Sequence, residues 1–245
     1  GNPHKLTIKQ HVFPCASIKR FRGDDGLVEL NYIEKGKILR VKPEDQIFCA
    51  KRVWDQKSES GYMRSIEDIF QDIASNIVND PVGINFTQTE TQNINRFYAL
   101  WYLRDFYKEN PEENISLFPP SDKGWSKDEQ EQLEKAGAMF INNNGEYLGR
   151  HMTGCNLLTE IDDIRSKIFD AEWGVLRSQN IEFIVPDKPV DFLAIPIAPK
   201  ICLYSKSKNI VVSDEQVDFI NTHFKKSSGS YYFSRNLSKC VKNDK

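Results

Sequence analysis

The chain has 245 residues, 39% of them hydrophobic and 28% charged, with a formal net charge of −2. A chain of this length buries a sizeable core without disulfides or structural metals. Its balanced charge excludes a globally basic protein that holds nucleic acid by bulk phosphate attraction. No run approaches the ~18 consecutive apolar residues of a membrane span, and no apolar run near the start reads as a signal peptide, so a cytoplasmic protein without membrane contact is expected. The five cysteines are scattered, odd in number and free of any C-x-x-C pair, which reads as free thiols acting as small hydrophobes.

Lys5 to His11 alternates like a short strand, and Pro14 then interrupts regular structure before Ile18 and Phe21, three apart as on one helical face. The runs 27–33 and 38–41, joined through Glu34-Lys35-Gly36-Lys37, predict a β-hairpin. A further apolar piece covers 47–50. From Tyr62 the period becomes helical, with Ile66, Ile69, Phe70, Ile73 and Ile77 in one stripe, and Asp80-Pro81 ends that helix. A second helix is predicted over 91–107. Ser126 with Glu129 forms a capping box that opens a short third helix, closed before the Asn142-Asn143-Asn144-Gly145 turn. Leu157, Leu158, Ile161, Ile164 and Ile168 define a fourth. Strands return at 173–176, 182–185, 193–197 and 201–204. Ser213 with Gln216 caps a last helix through Val217, Ile220 and Phe224, and 230–234 reads as a final strand. The expectation is one α+β domain over 1–238, with a frayed tail at 239–245. An N-terminal hairpin and C-terminal strands enclose a helical middle, which allows the terminal strands to share one sheet.

This arrangement resembles a bacterial family known as domain of unknown function 4238. Its N-terminal H-x-x-P-x-x-x-L-x-x-F motif is matched by His11, Pro14, Ile18 and Phe21, with Ile in place of Leu. Its F-I-x-S-D-N-P-V segment is matched by Phe183 to Val190, where Pro186 and Lys188 replace the Ser and Asn beside Asp187. The strand 195-IPIAP-199, Asn221, the aromatic strand Tyr231 to Ser234, the pair Ile66-Glu67 and the helix-borne Arg104 complete the likeness. The resemblance implies a mixed fold and a set of recurring polar positions. It implies no activity, and a role in bacterial or phage conflict follows only by analogy.

His11, Glu67 and Asp187 are the candidate catalytic residues. Imidazole and carboxylates together suit a divalent metal ion or acid–base work in a hydrolase, most of all a nuclease-like phosphodiesterase. Arg52 and Arg104 would then neutralise phosphate, and Asn221 would orient substrate. The bland alternatives are a half-buried His11 bonded to a backbone carbonyl, a solvated Glu67 at the border of its helical stripe and a turn-forming Asp187. The function class that goes with those alternatives is a non-catalytic binding module with a structural polar network. His151 and His223 read as isolated surface residues. Cys15 and Cys49 lie near Lys19-Arg20 and Lys51-Arg52, a setting that lowers a thiol pKa. The stretches Lys19-Arg20-Phe21-Arg22 and Lys51-Arg52-Val53-Trp54 interleave cations with rings, as single-stranded nucleic acid binders do, or else bury the rings beneath snorkelling cations. Nucleic acid, a protein partner or a second copy of the chain are the partners this reading leaves open.

Overall fold

A computed structural model describes residues 2–80 and 84–241. The expected hairpin forms from β2 (Val28–Tyr32) and β3 (Lys37–Val41), closed by Gly36 at φ +56°, a left-handed turn that glycine enters without a Cβ clash. The two ends of the chain do share a sheet. β12 (Tyr231–Ser234) pairs antiparallel with β2, Leu30 opposite Phe233, and with the short β8 (Val185–Pro186) on its other side, giving the order β3-β2-β12-β8. The fold is therefore α+β.

A second four-stranded sheet has the order β11-β7-β10-β9. β7 (Trp173–Ser178), β9 (Ala194–Ala198) and β10 (Ile201–Ser205) run antiparallel, and β11 (Ile210–Val212) joins parallel to β7. β7, β9 and β10 are nearly continuous buried runs, covered on both faces. β1 (Lys9–His11) pairs with β4 (Cys49–Lys51), and β5 (Ile115–Ser116) with β6 (Glu146–Tyr147). Of the run 182–185 only Val185 enters a sheet, because Glu182 and Phe183 bond to the Lys239 and Pro199 carbonyls instead.

Among the helices, α1 (Cys15–Lys19) and α2 (Gln56–Ser58) are short. α3 (Arg64–Asn79) follows a widened π turn at Glu59–Met63, where Gly61 at φ −100°, ψ −111° breaks the helical path. Its C-cap is Asp80; Pro81, the expected stop, lies outside the described residues. α4 (Gln88–Glu109) opens on a capping box between Thr87 and Glu90, three residues before the predicted start. α5 (Lys127–Lys135) and α7 (Asp214–Ser227) carry the predicted boxes at Ser126 and Ser213. α6 (Gly149–Lys167) begins eight residues before Leu157, since Arg150 to Asn156 offer no apolar period to read. Ile69 and Leu158, assigned to apolar stripes, are exposed.

The main core gathers Phe13, Phe21, Phe48, Trp54, Phe70, Phe97 and Trp101, with Phe70 stacked on Phe97 at 3.5 Å and Phe13 against Trp101 at 4.7 Å. A second cluster, including Phe183, Val190, Val217 and Phe224, lies under α7. Lys239 and Cys240, expected at the start of a frayed tail, belong to a 3-10 turn over Leu237–Cys240, and Cys240 is fully buried in the second cluster. All five cysteines are free. No described helix is long and apolar enough to cross a membrane.

Packing between α2 and α6 depends on Gly154, whose missing Cβ leaves room for the Asp55 carboxylate and the Ser58 hydroxyl. Tyr62 seals the same contact by donating to the Gly154 carbonyl at 2.8 Å. Gly154→Ala is expected to lower stability by about 1–3 kcal/mol in urea titration through overpacking, with Ser58→Ala in the same background recovering part of the loss.

Candidate functional site

The six residues singled out in the sequence fall into separate places, except that Glu67 and Arg104 meet. His11 is opposite Cys49 across the β1–β4 pair, and its Nε2 lies 3.0 Å from the Pro43 carbonyl. That bond ties the β1–α1 junction to the loop before β4. Asp187, buried just after β8, accepts from the backbone N–H groups of Gly229 (2.9 Å), Ser230 (2.5 Å) and Tyr231 (3.2 Å). It forms the turn between α7 and β12. Asn221, fully buried on α7, accepts from the Ile184 N–H at 3.0 Å and donates to the carbonyls of Glu182 (2.8 Å) and Cys240 (3.0 Å). Three chain segments are thus joined through one side chain.

Glu67 and Arg104 are brought together. The Arg104 guanidinium, 1% exposed, bonds to Glu67, lies 3.5 Å from Glu59 and sits over the Trp54 ring at 5.3 Å. The Trp54 indole N–H in turn donates to Glu59 at 2.5 Å. Burial opposes the Arg104 charge, and Glu67 and then Glu59 reverse that effect, so its pKa is raised. Arg52, with φ +53°, points instead to Glu134 at 2.7 Å. Among the described residues no group of three His, Cys, Asp or Glu side chains is placed to hold a metal ion. His11, Glu67 and Asp187 therefore do not assemble the metal centre that their residue types suggested.

Several surface features of the sequence turn inward. His151, expected at the surface, is 1% exposed. Phe21 and Trp54 are fully buried, so neither basic stretch presents a ring to a nucleobase. Arg20 is held by the Ile197 carbonyl at 2.8 Å. The thiols move opposite to the expected direction: burial raises Cys15 in spite of Lys19 and raises Cys49 to about 11. Desolvation disfavours the thiolate more than the nearby lysines favour it.

The chemically distinctive cavity lies elsewhere, in a cleft of about 510 Å³ between the end of α4, the 188–191 segment and the end of α7. Its less exposed charged groups are Asp105 and Lys188; Glu109, Asp191 and Lys226 are exposed. Tyr102 and Phe106, one helical turn apart on α4, give it an apolar wall. Asp105 accepts no hydrogen bond from a described residue, and neither Lys188 nor Lys226 forms an ion pair with one. Burial, and then the charge of Asp187, push the Asp105 carboxyl up to about 6, against the pull of Lys108 and Lys188. A carboxyl shifted in this way and facing a cleft is a candidate functional position. A larger depression of about 710 Å³ borders Phe86, Gln92, Phe169 and Asn209. There Gln92 is already engaged by Arg165 and the Phe169 carbonyl, and Asn209 by Val175 and Ile84.

No family model, curated protein or solved structure matches the chain. The site therefore rests on its own geometry. Of its lining residues, the sequence reading named only Lys188, Pro189 and Val190, as part of the segment Phe183 to Val190 that also holds Asp187. Asp105 follows Arg104 directly, but its proximity to Asp187 joins segments about 80 residues apart, and no local pattern reports that.

The two neighbours on α4 make opposite predictions. Arg104→Ala removes a fully buried cation and leaves the part-exposed Glu67 and Glu59 without their counter-charge, and is expected to cost about 3–5 kcal/mol in chemical denaturation. Asp105 has a folded pKa above its ordinary 3.8, so the stability it contributes in acid is lost as pH rises from about 4 through about 6. Asp105→Asn is accordingly expected to be more stable than wild type by about 1–3 kcal/mol at pH 8, with the difference vanishing near pH 4. Unfolding curves at both pH values read this directly.

Proposed function

We propose that the chain is a binding module whose ligand seat is the Asp105 cleft and whose recognised group is an oxyanion such as a phosphate. One observation carries this reading: a half-buried protonatable carboxyl and a half-buried lysine face the same cavity, and neither is paired with a described residue. A protonated Asp105 donates a hydrogen bond to an oxyanion, and Lys188 and Lys226 supply compensating charge. The acids Glu109 and Asp191 sit on the exposed rim, where solvent weakens their repulsion. Lys226 also complements the carbonyl end of α7, a structural role compatible with ligand contact. Tyr102 and Phe106 provide an apolar face for the remainder of the ligand.

The other polar residues support the module reading through their engagement. Asp187 and Asn221 spend their hydrogen-bonding capacity on backbone, and Glu67 spends its charge on Arg104. A hydrolase acting through the same cleft is the second reading, and one observation favours it: a carboxyl titrating near 6 suits a general acid at neutral pH.

Calorimetric titration with inorganic phosphate, a nucleoside monophosphate and short RNA and DNA oligonucleotides tests the proposal. Phosphate-bearing ligands are expected to bind more tightly at pH 5.5 than at pH 7.5, because ionised Asp105 repels them. Lys188→Ala with Lys226→Ala is expected to weaken binding at least tenfold, and Asp105→Asn to remove most of the pH dependence. Binding that is unchanged in the double lysine variant would overturn the assignment. Cleavage of the oligonucleotides by wild type, lost in Asp105→Asn with binding retained, would establish the hydrolase reading instead.

A further inference from the structure

Between α4 and α6 the chain leaves the core as an arm, residues 112–147, in which β5 pairs with β6 and α5 packs on α2. One buried carboxylate pins the arm to the body. Glu134, in the last turn of α5 and 2% exposed, accepts from Arg52 at 2.7 Å and from the Nε and Nη2 of Arg150 at 3.0 and 2.7 Å. One carboxylate thus serves two guanidinium groups, one from the turn after β4 and one from the first turn of α6.

Beside this clasp lies His151, wedged edge-on between the rings of Phe140 (5.2 Å) and Tyr147 (5.8 Å), both contributed by the arm. It is as buried as the core phenylalanines, yet neither ring nitrogen has a hydrogen-bond partner among the described residues. An imidazole with two orphaned nitrogens is accommodated only while it is neutral, because a buried charge without a partner is far more costly. The charged groups facing it are Arg150 on its own helix, Glu134 from α5, Asp55 from the start of α2 and Arg52 from the turn after β4. Asp55 is committed to the N–H and hydroxyl of Ser58, at 2.9 and 2.8 Å.

We propose that His151 makes the 112–147 arm an acid-released clasp, in which protonation of the imidazole beside Arg52 and Arg150 overloads the shared Glu134 and frees the arm. Burial, and then Arg150, hold His151 below the ordinary histidine range. The stability tied to its neutral form is thus present above about 6.5 and is lost as pH falls below that value. Glu134 resists in the same interval, because Arg150 and Arg52 overcome its burial and keep it ionised below the ordinary 4.5. The first acid event in the clasp therefore belongs to His151. A second polar contact reaches the arm, where His4 lies 2.6 Å from Asp128 at the start of α5. Asp128 is exposed, so solvent screens that pair more than the buried clasp.

Hydrogen exchange read by mass spectrometry, corrected for the intrinsic pH dependence of exchange, tests the proposal at pH 7.5 and 5.5. Protection across 127–135 and 141–147 is expected to fall about tenfold at pH 5.5 in wild type, with α3 and the centre of α4 unchanged. In His151→Gln the fall is expected to disappear. A nuclear magnetic resonance titration of wild type provides a second reading independent of how the variant folds. There the His151 ring is expected to titrate below 6.5 together with arm resonances, including the Trp125 indole. An equal fall in His151→Gln, or a wild-type ring that titrates without any arm response, would overturn the proposal.

Discussion

A guanidinium enters a protein interior only with its counter-charge, and Arg104 brings two. The cation on α4 draws Glu67 from α3 and Glu59 from the widened turn before it, with the Trp54 ring beneath. These contacts fix the rotation of α4 relative to α3 and place the π turn. They also determine which residues α4 turns away from the ion pairs. Asp105, the next residue along, faces the cleft because Arg104 faces the core. Buried pairs of this kind contribute little net stability, but losing either partner is severe, so the cluster acts as a constraint on geometry.

Polar side chains that resemble a catalytic set can be the joints of a fold. Asp187 holds the turn into the final strand by accepting three successive amides, and Asn221 links α7 to two further segments. Both place strong hydrogen-bonding groups where buried backbone would otherwise lack partners. The cleft exploits this arrangement. Burial first, and then the negative field of the Asp187 carboxylate fixed by its amides, raise the neighbouring Asp105 carboxyl to about 6. A structural acid thereby tunes a solvent-facing one.

Much of the architecture was legible because it is local. The capping boxes at Ser126 and Ser213, the hairpin about Gly36 and the helical stripe ending at Ile77 each lie within a few residues. The sharing of a sheet by the two ends followed from their strand patterns. α6 was underestimated because its first turns are polar or glycine-containing and pack through Gly154 and His151. The site was less legible than the fold. Histidine and carboxylate residue types suggested chemistry at His11, Glu67 and Asp187, whereas their meaning lay in partners such as the Pro43 carbonyl, Arg104 and the amide of Gly229. Asp105 carries no local mark, and His151 was assigned to the surface because the sequence does not show the chain turning back after Phe140 to lay that ring and Tyr147 on the imidazole.

The pairing of Leu30 with Phe233 spans roughly 200 residues, and contacts that distant slow the search for the native state. During synthesis β2 meets its hairpin partner β3 at once, but it cannot gain its inner neighbour until roughly 200 further residues have been made. For that interval its inward edge, flanked by Val28 and Leu30, stands open to pairing with another chain. That exposure ends only with the arrival of four residues, Tyr231 to Ser234.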